Sequence, residues 1–195
     1  MQPQTFVFFG IVGSGKGTQV KFLTNFLKGK DGRECVYIGT GEIFRKMIES
    51  AKNDFEIKLA REIFSGRLVP DEFTNKLVWE TVELNFSLEK HLIFDGYPRT
   101  INQSEVFEKK IPAYLKNVKV VYLELSEEEA IKRNLLRGRH DDTEEGLRKR
   151  FEEYKDKVIP AMNYFKDKEN YEILTINGEQ SVENVHGDII KALGF

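Results

Sequence analysis

Within the first twenty residues, four glycines bracket a lysine and precede a threonine: Phe9-Gly10-Ile11-Val12-Gly13-Ser14-Gly15-Lys16-Gly17-Thr18-Gln19. Glycine loses more backbone freedom on folding than any other residue, so this density calls for a local reason. Bare backbone lets successive N–H groups turn toward one point. An anion placed there also feels the positive end of the helix that follows. Lys16 then supplies a full charge for the outer phosphates of a nucleotide. The spacing departs by one residue from G-x-x-x-x-G-K-[ST], because Gly17 separates Lys16 from Thr18. A plain glycine turn would need neither the lysine nor a helix in register, so phosphate binding is the reading adopted.

Other residues fit the same chemistry. Asp95 closes an apolar run and could cap a turn or hold hydrated Mg²⁺. Arg45, Arg99, Arg139 and Arg150 could be ordinary solvated charges, the commonest state of arginine. Arg99 is the least suited to that, since it follows Gly96-Tyr97-Pro98 at a strand end, where parallel sheets bind ligands. Phosphoryl transfer needs positioning and charge neutralisation, and guanidinium groups grip phosphate oxygens two at a time. Cys35, Trp79 and His140 read as core or surface, with no metal and no nucleophile among them.

The elements that must position these residues alternate. Thr5–Phe9 is a continuous apolar run, as in a strand buried on both faces. Strands are also expected at Glu34–Ile38, His91–Phe94, Val118–Leu125 and Tyr171–Ile176. Helical spacing marks Gly17–Leu27, two stretches within Gly41–Ser65 (Phe55, Leu59 and Ile63 in the second), Asp71–Leu88, Asn102–Lys110 and Val182–Leu193. Ser126 to Glu129 forms a capping box for a helix reaching Arg137, and Asp142 to Glu145 repeats the pattern for one reaching about Lys166, bent by Pro160. Strands alternating with helices predict an α/β fold: a parallel sheet covered on both sides.

The totals agree. A chain of 195 residues with 40% hydrophobic and 32% charged residues suits one globular domain. Thirty basic and 32 acidic residues give a net charge of −2, which argues against a general nucleic-acid or anionic-membrane binder. The single cysteine excludes an internal disulfide and makes a reducing cytoplasm the default. The opening apolar run is too short for a signal peptide or a membrane span.

The form G-x-x-G-x-G-K-G-T resembles the loop of nucleoside monophosphate kinases, adenylate kinases especially, and the resemblance covers nearly the whole chain. Thr40-Gly41-Glu42-Ile43-Phe44-Arg45 is similar to that family's Thr-Gly-Asp-x-x-Arg segment, and Gly66-Arg67-Leu68-Val69-Pro70-Asp71-Glu72 to its Gly-x-Leu-Val-Pro-Asp-Glu. Asp95-Gly96-Tyr97-Pro98-Arg99-Thr100 with Gln103 resembles its Asp-Gly-Phe-Pro-Arg-Thr…Gln. Arg133, Arg137-Gly138-Arg139, Asp141-Asp142 and Arg150 follow the order of its lid-flanking arginines. Five such motifs in order are specific.

The resemblance implies a P-loop five-stranded parallel sheet with a small AMP-side helical insertion at about 40–70 and a minimal lid at about 138–141. It implies reversible transfer of phosphoryl from Mg·ATP to AMP, giving two ADP. ATP would be held by Gly13, Ser14, Gly15, Lys16, Gly17, Thr18, Arg133, Arg137 and Gln180. AMP would be held by Thr40, Arg45, Arg67, Leu68, Val69, Gly96, Tyr97, Arg99, Gln103, Arg139 and Arg150. Lys16, Arg99, Arg137, Arg139 and Arg150 would serve the transfer itself, and Asp95 would hold Mg²⁺ through water. No nucleic acid or membrane partner is implied; a monomer is the default, with a homo-oligomer open. A UMP/CMP kinase and a nucleotide-binding regulatory protein without catalysis are the alternatives. Three departures stand out: Val12 replaces a usual proline, Gly39 replaces a common serine, and only Arg139 and His140 separate Gly138 from Asp141. So short a lid predicts a donor base left partly exposed.

Overall fold

The computed structural model describes residues 2–49, 68–111, 117–138 and 143–195. Five strands, β1 (Thr5–Gly10), β2 (Cys35–Gly39), β3 (His91–Asp95), β4 (Val118–Glu124) and β5 (Tyr171–Asn177), form one parallel sheet in the order β2-β3-β1-β4-β5. All five strands therefore end along the same side. The chain leaves β1 in one direction for β2 and later crosses it for β4, so β1 lies beside the point where the order reverses. Ligands of open parallel sheets bind outside such a point.

The apolar run of β1 is explained by its two faces. Val7 and Phe9 enter one core with Ile38, Leu92, Phe94 and Val120, while Phe6 and Phe8 enter the other with Ile93, Val121 and Leu123. Side chains alternate along a strand, so a strand covered on both faces has no polar position to spare. The first core is closed by Val78, Trp79 and Val82 of α3 (Asp71–Asn85), Phe107 of α4 (Ile101–Lys110), and Ala161, Met162 and Phe165. The second is closed by Val20, Leu23 and Leu27 of α1 (Lys16–Asp31) and by Val185 and Ile189 of α8 (Val182–Ala192). Trp79 is thus core, as its type allowed.

α2 (Thr40–Glu49) packs Phe44 on Val69, with Met47, Phe73 and Leu77 around them. The second helical stretch expected before Ser65 lies outside the described residues. α5 (Glu127–Arg137) begins at the expected cap, Ser126, whose Oγ accepts from Glu129 N. The next helix, α6 (Glu144–Glu153), is capped by Thr143, whose Oγ1 accepts from Gly146 N at 3.1 Å; Asp142, where the expected pattern begins, lies outside the described residues. A β-branched hydroxyl one residue later does the same job. α6 runs through a π-helical turn at Tyr154–Val158 into α7 (Ile159–Asn163). Pro160 has no N–H to give the preceding turn, and the wider turn just before it absorbs that break. No described helix is long and apolar enough to cross a membrane.

Candidate active site

A cleft of about 1000 Å³ opens at the C-terminal ends of the strands. Its centre is the glycine loop between β1 and α1. Gly13 and Gly15 lie at φ +91° and +88°, where a side chain would be strained. Gly15 occupies the N-cap of α1, and no side chain caps the helix; nor is there an acidic residue in its first turn. Every other described helix of ten residues or more has one or the other. α2 has Glu42, α3 has Asp71 and Glu72, and α4, α5, α6 and α8 are capped by Thr100, Ser126, Thr143 and Ser181. The orphan N–H groups and positive end of α1 are left for something outside the chain.

Lys16 is partly buried, and its Nζ donates to Gly10 O (2.7 Å) and Ile11 O (3.1 Å), with Ser14 Oγ at 3.5 Å. Burial pulls its pKa down to about 8; Asp95 opposes the shift, and Arg99 and Arg137 add to it. At about 8 the ammonium is still the major form at neutral pH, and it loses its proton readily above that.

Asp95, at the end of β3, stands across from the loop. A Cβ on Gly17 would lie 3.8 Å from its Oδ2. Tyr37 Oη donates to the same oxygen at 3.3 Å. Burial and the Asp95 carboxylate push the Tyr37 hydroxyl up, so it keeps its proton. The ring of Tyr37 lies over Gly39, where a Cβ would collide with its hydroxyl. The absent side chain at Gly39 is what lets this ring lie along its own strand, since residues two apart share a face. Tyr37 was not among the residues singled out from sequence; the aromatic two positions before a buried glycine was its only signal.

The other end of the cleft is tied by hydrogen bonds across three elements. Gly96 O accepts from Thr40 Oγ1 (2.7 Å) and from Arg99 Nε (2.8 Å). Arg99 N donates to Gln103 Oε1, Gln103 Nε2 donates to Asp71 Oδ1, and Thr100 Oγ1 donates to Asp71 Oδ2, each at 2.8 Å. Asp71 thereby fixes which way the Gln103 amide faces, leaving one N–H and one lone pair of that amide for a ligand. Burial lowers the pKa of Arg99, Asp95 opposes this and Arg150 adds to it; an arginine starts above about 12 and stays a cation.

Of the residues singled out from sequence, Gly13, Gly15, Lys16, Gly17, Thr18, Thr40, Arg45, Leu68, Val69, Asp95, Gly96, Arg99, Gln103, Arg133, Arg137 and Arg150 line this one cleft. Ser14 is buried beneath it. Two do not face it. Tyr97 is fully buried: its Oη accepts from Trp79 Nε1 (3.1 Å) and donates to Asn75 Oδ1 (2.7 Å), so the ring is core. Gln180 Nε2 donates to Asp188 Oδ2 (2.7 Å) and Asn177 O (3.2 Å), holding the turn after β5. Arg67, Arg139 and most of the 138–141 segment lie outside the described residues. Arg133 donates through Nε to Glu129 Oε1 (2.8 Å) and through Nη1 to Gly178 O (2.9 Å), tying the same turn to α5.

Among the described residues, seven basic and three acidic side chains line the cleft, in a chain whose net charge is −2. Such a surplus selects a polyanion. Comparison with known proteins gives the same direction. The family model described as adenylate kinase matches residues 8–170. Adenylate kinase 1 of Nostoc sp. is 34% identical over 189 residues, covering 96% of this chain and 97% of that protein. The adenylate kinase of Prochlorococcus marinus is 36% identical over 185 residues, 94% of each chain. That of Corynebacterium diphtheriae is 32% identical over 190 residues, 96% of this chain and 98% of its own. Matches of this extent, over a sheet whose loop and arginines converge on one anion-binding cleft, place the chain in the adenylate kinase family.

Proposed function

We propose that the cleft moves a phosphoryl group reversibly between Mg·ATP and AMP, giving two ADP. The observation that carries this reading is the uncapped start of α1, with Lys16 beside it and arginines from α2, α5, α6 and the turn after β3 lining the same cleft. Lys16 holds the donor phosphates together with the loop N–H groups other than those of Ser14 and Thr18, which Ile11 O and Gly15 O already take. Arg133 and Arg137 approach them from α5. Arg99 and Arg150, with Arg45, hold the acceptor phosphate, and Arg139 belongs with them by its place in the sequence. Thr40, Leu68, Val69 and Gln103 form the acceptor-base end, with Arg67 adjoining by sequence. Gly96 contributes its carbonyl and its lack of a side chain: a Cβ there would lie 2.6 Å from both Arg99 and Thr40. Tyr97 supports this end from behind rather than touching the nucleotide.

The chain has little covalent work to do; it positions two phosphates in line and spreads developing charge over cations. Asp95 fits a hydrated Mg²⁺. It is one carboxylate beside the loop, and no described group of three acidic, histidine or cysteine side chains could form a dedicated cage. When bound, the ion neutralises charge on the phosphate oxygens. A reducing compartment suits the lone Cys35, and the working assembly is a monomer, checked by mass in solution. The function is tested by coupled ADP production with ATP, Mg²⁺ and AMP: two ADP per AMP consumed supports the reading, and no turnover refutes it.

A further inference from the structure

Asn134 sits in the last turn of α5 with none of its surface exposed. Both hydrogens of its amide are engaged. One goes to Ala130 O at 2.7 Å, a turn back in the same helix; the other goes to Val12 O at 3.0 Å, in the glycine loop. Turning the amide over would set its oxygen against both carbonyls, so the orientation is fixed. In that orientation Oδ1 is buried and has no hydrogen-bond partner. A leucine of similar size would fill the site without that desolvation penalty. The side chain is therefore poorly chosen for packing and well chosen for holding Val12.

The loop on the other side agrees. A Cβ on Gly13 would lie 2.6 Å from Asn134 Nδ2 and 3.1 Å from Ala130 O. The back of the loop thus lies flat on α5, with the Asn134 amide filling the space a side chain would need. The same helix carries Arg133 and Arg137, four residues apart and both lining the cleft. One buried amide links the loop that presents Lys16 to the helix that presents two arginines.

We propose that Asn134 is a positioning residue for the donor phosphates: it locks the glycine loop to α5 and so fixes the reach between the loop N–H groups and Arg133 and Arg137. The proposal rests on the loop being the donor-phosphate site. It touches no ligand itself, so its loss should appear on one substrate only.

The test replaces Asn134 by leucine and measures three things: KM for Mg·ATP, KM for AMP, and amide hydrogen exchange of residues 13–16 without nucleotide. KM for Mg·ATP should rise about tenfold, KM for AMP should stay within about twofold, and exchange in the loop should quicken while that of α8 does not. If Asn134→Leu does not fold, Asn134→Ser serves, since its hydroxyl can bond Ala130 O but is too short to reach Val12. Unchanged loop exchange, or the two KM values rising together with a fall in Tm, would overturn the proposal. A wild-type chain that fails to bind Mg·ATP would instead refute the donor-site reading, and the loop exchange would still decide whether Asn134 locks the loop.

Discussion

The two ends of the strands handle charge in opposite ways. At their N-terminal ends, His91 is fully buried. Its Nδ1 accepts from Gln4 N (3.1 Å), and its Nε2 lies 3.3 Å from Asp31 Oδ2. Asp31 also takes the Arg33 guanidinium (2.9 Å) and backbone N–H (3.1 Å). Acid, base and imidazole close on one another. At the C-terminal ends, basic side chains outnumber acidic ones, and the Lys16 ammonium is held by loop carbonyls. The first arrangement is complete without a ligand and contributes to folding. The second keeps a surplus of positive charge, which suits it to an anion. One sheet thus separates stability from function by strand direction alone.

Exchanging a residue at each end should break this contrast most plainly. Lys16→Met should lower kcat by about 10² or more, the order of about 3 kcal/mol that a lost electrostatic clamp costs. Tm should hold or rise, because burial already disfavours the charged ammonium. Retention of more than about a tenth of wild-type kcat would remove Lys16 from the mechanism.

A pH titration sharpens the same contrast. With burial holding the Lys16 pKa at about 8, binding of a phosphate needs the lysine to carry its proton. Affinity for Mg·ATP, measured by calorimetry, should therefore weaken as pH rises above about 8, approaching about tenfold per unit. Lys16→Arg should flatten that slope; a wild-type affinity flat to pH 10 would contradict the account. The opposite end responds in acid. Burial lowers the pKa of His91 from 6.5, against the pull of Asp31. The unfolded chain then binds a proton that the folded chain refuses, so stability should fall as pH drops below 6.5. Asp31, held below 3.8 by Arg33 and His91 despite its own burial, adds a further loss lower down, where its carboxylate protonates. Urea midpoints between pH 7.5 and 5 read the first of these.

Asp31→Ala should be the mirror of Lys16→Met. It strips an acceptor from Arg33 and His91 and should cost about 1–3 kcal/mol in urea, with kcat/KM within about twofold of wild type. The smallest effect belongs to Gly39→Ser. Its Cβ would collide with Tyr37, but that ring is partly exposed and can swing outward. Stability should change by less than about 1 kcal/mol, and activity only slightly, through the lost hydrogen bond to Asp95.

What could be read from the sequence was what the chain decides locally. The run Thr5–Phe9 announces a strand covered on both faces, Ser126 and Glu129 announce a helix start, and the glycine spacing around Lys16 announces an anion site. What escaped depends on partners far away in the chain. Tyr97 reads as a turn residue facing the ligand; Trp79 and Asn75 on α3, with Gln103 O on α4, hold its hydroxyl in the core. Gln180 reads as a loop residue free to meet a base, until Asp188 claims its amide. Asn134 carries no signal in the sequence, since its partner Val12 is 122 positions away. The cap at Thr143, one residue after the start of the expected pattern, is a smaller miss, since Asp and Thr both cap well.

The central claim is that the cationic end of the sheet serves ATP and AMP, and an acceptor panel tests it most directly. AMP, dAMP, GMP, CMP and UMP would each be offered with ATP and Mg²⁺, to wild type and to Gln103→Ala. The Gln103 amide, oriented by Asp71 and Arg99, keeps one donor and one acceptor free, and an unpaired buried amide costs about 1–3 kcal/mol. AMP should therefore lead in kcat/KM, and its lead over CMP and UMP should shrink by about tenfold in Gln103→Ala. A panel led by CMP or UMP in the wild type would contradict the account.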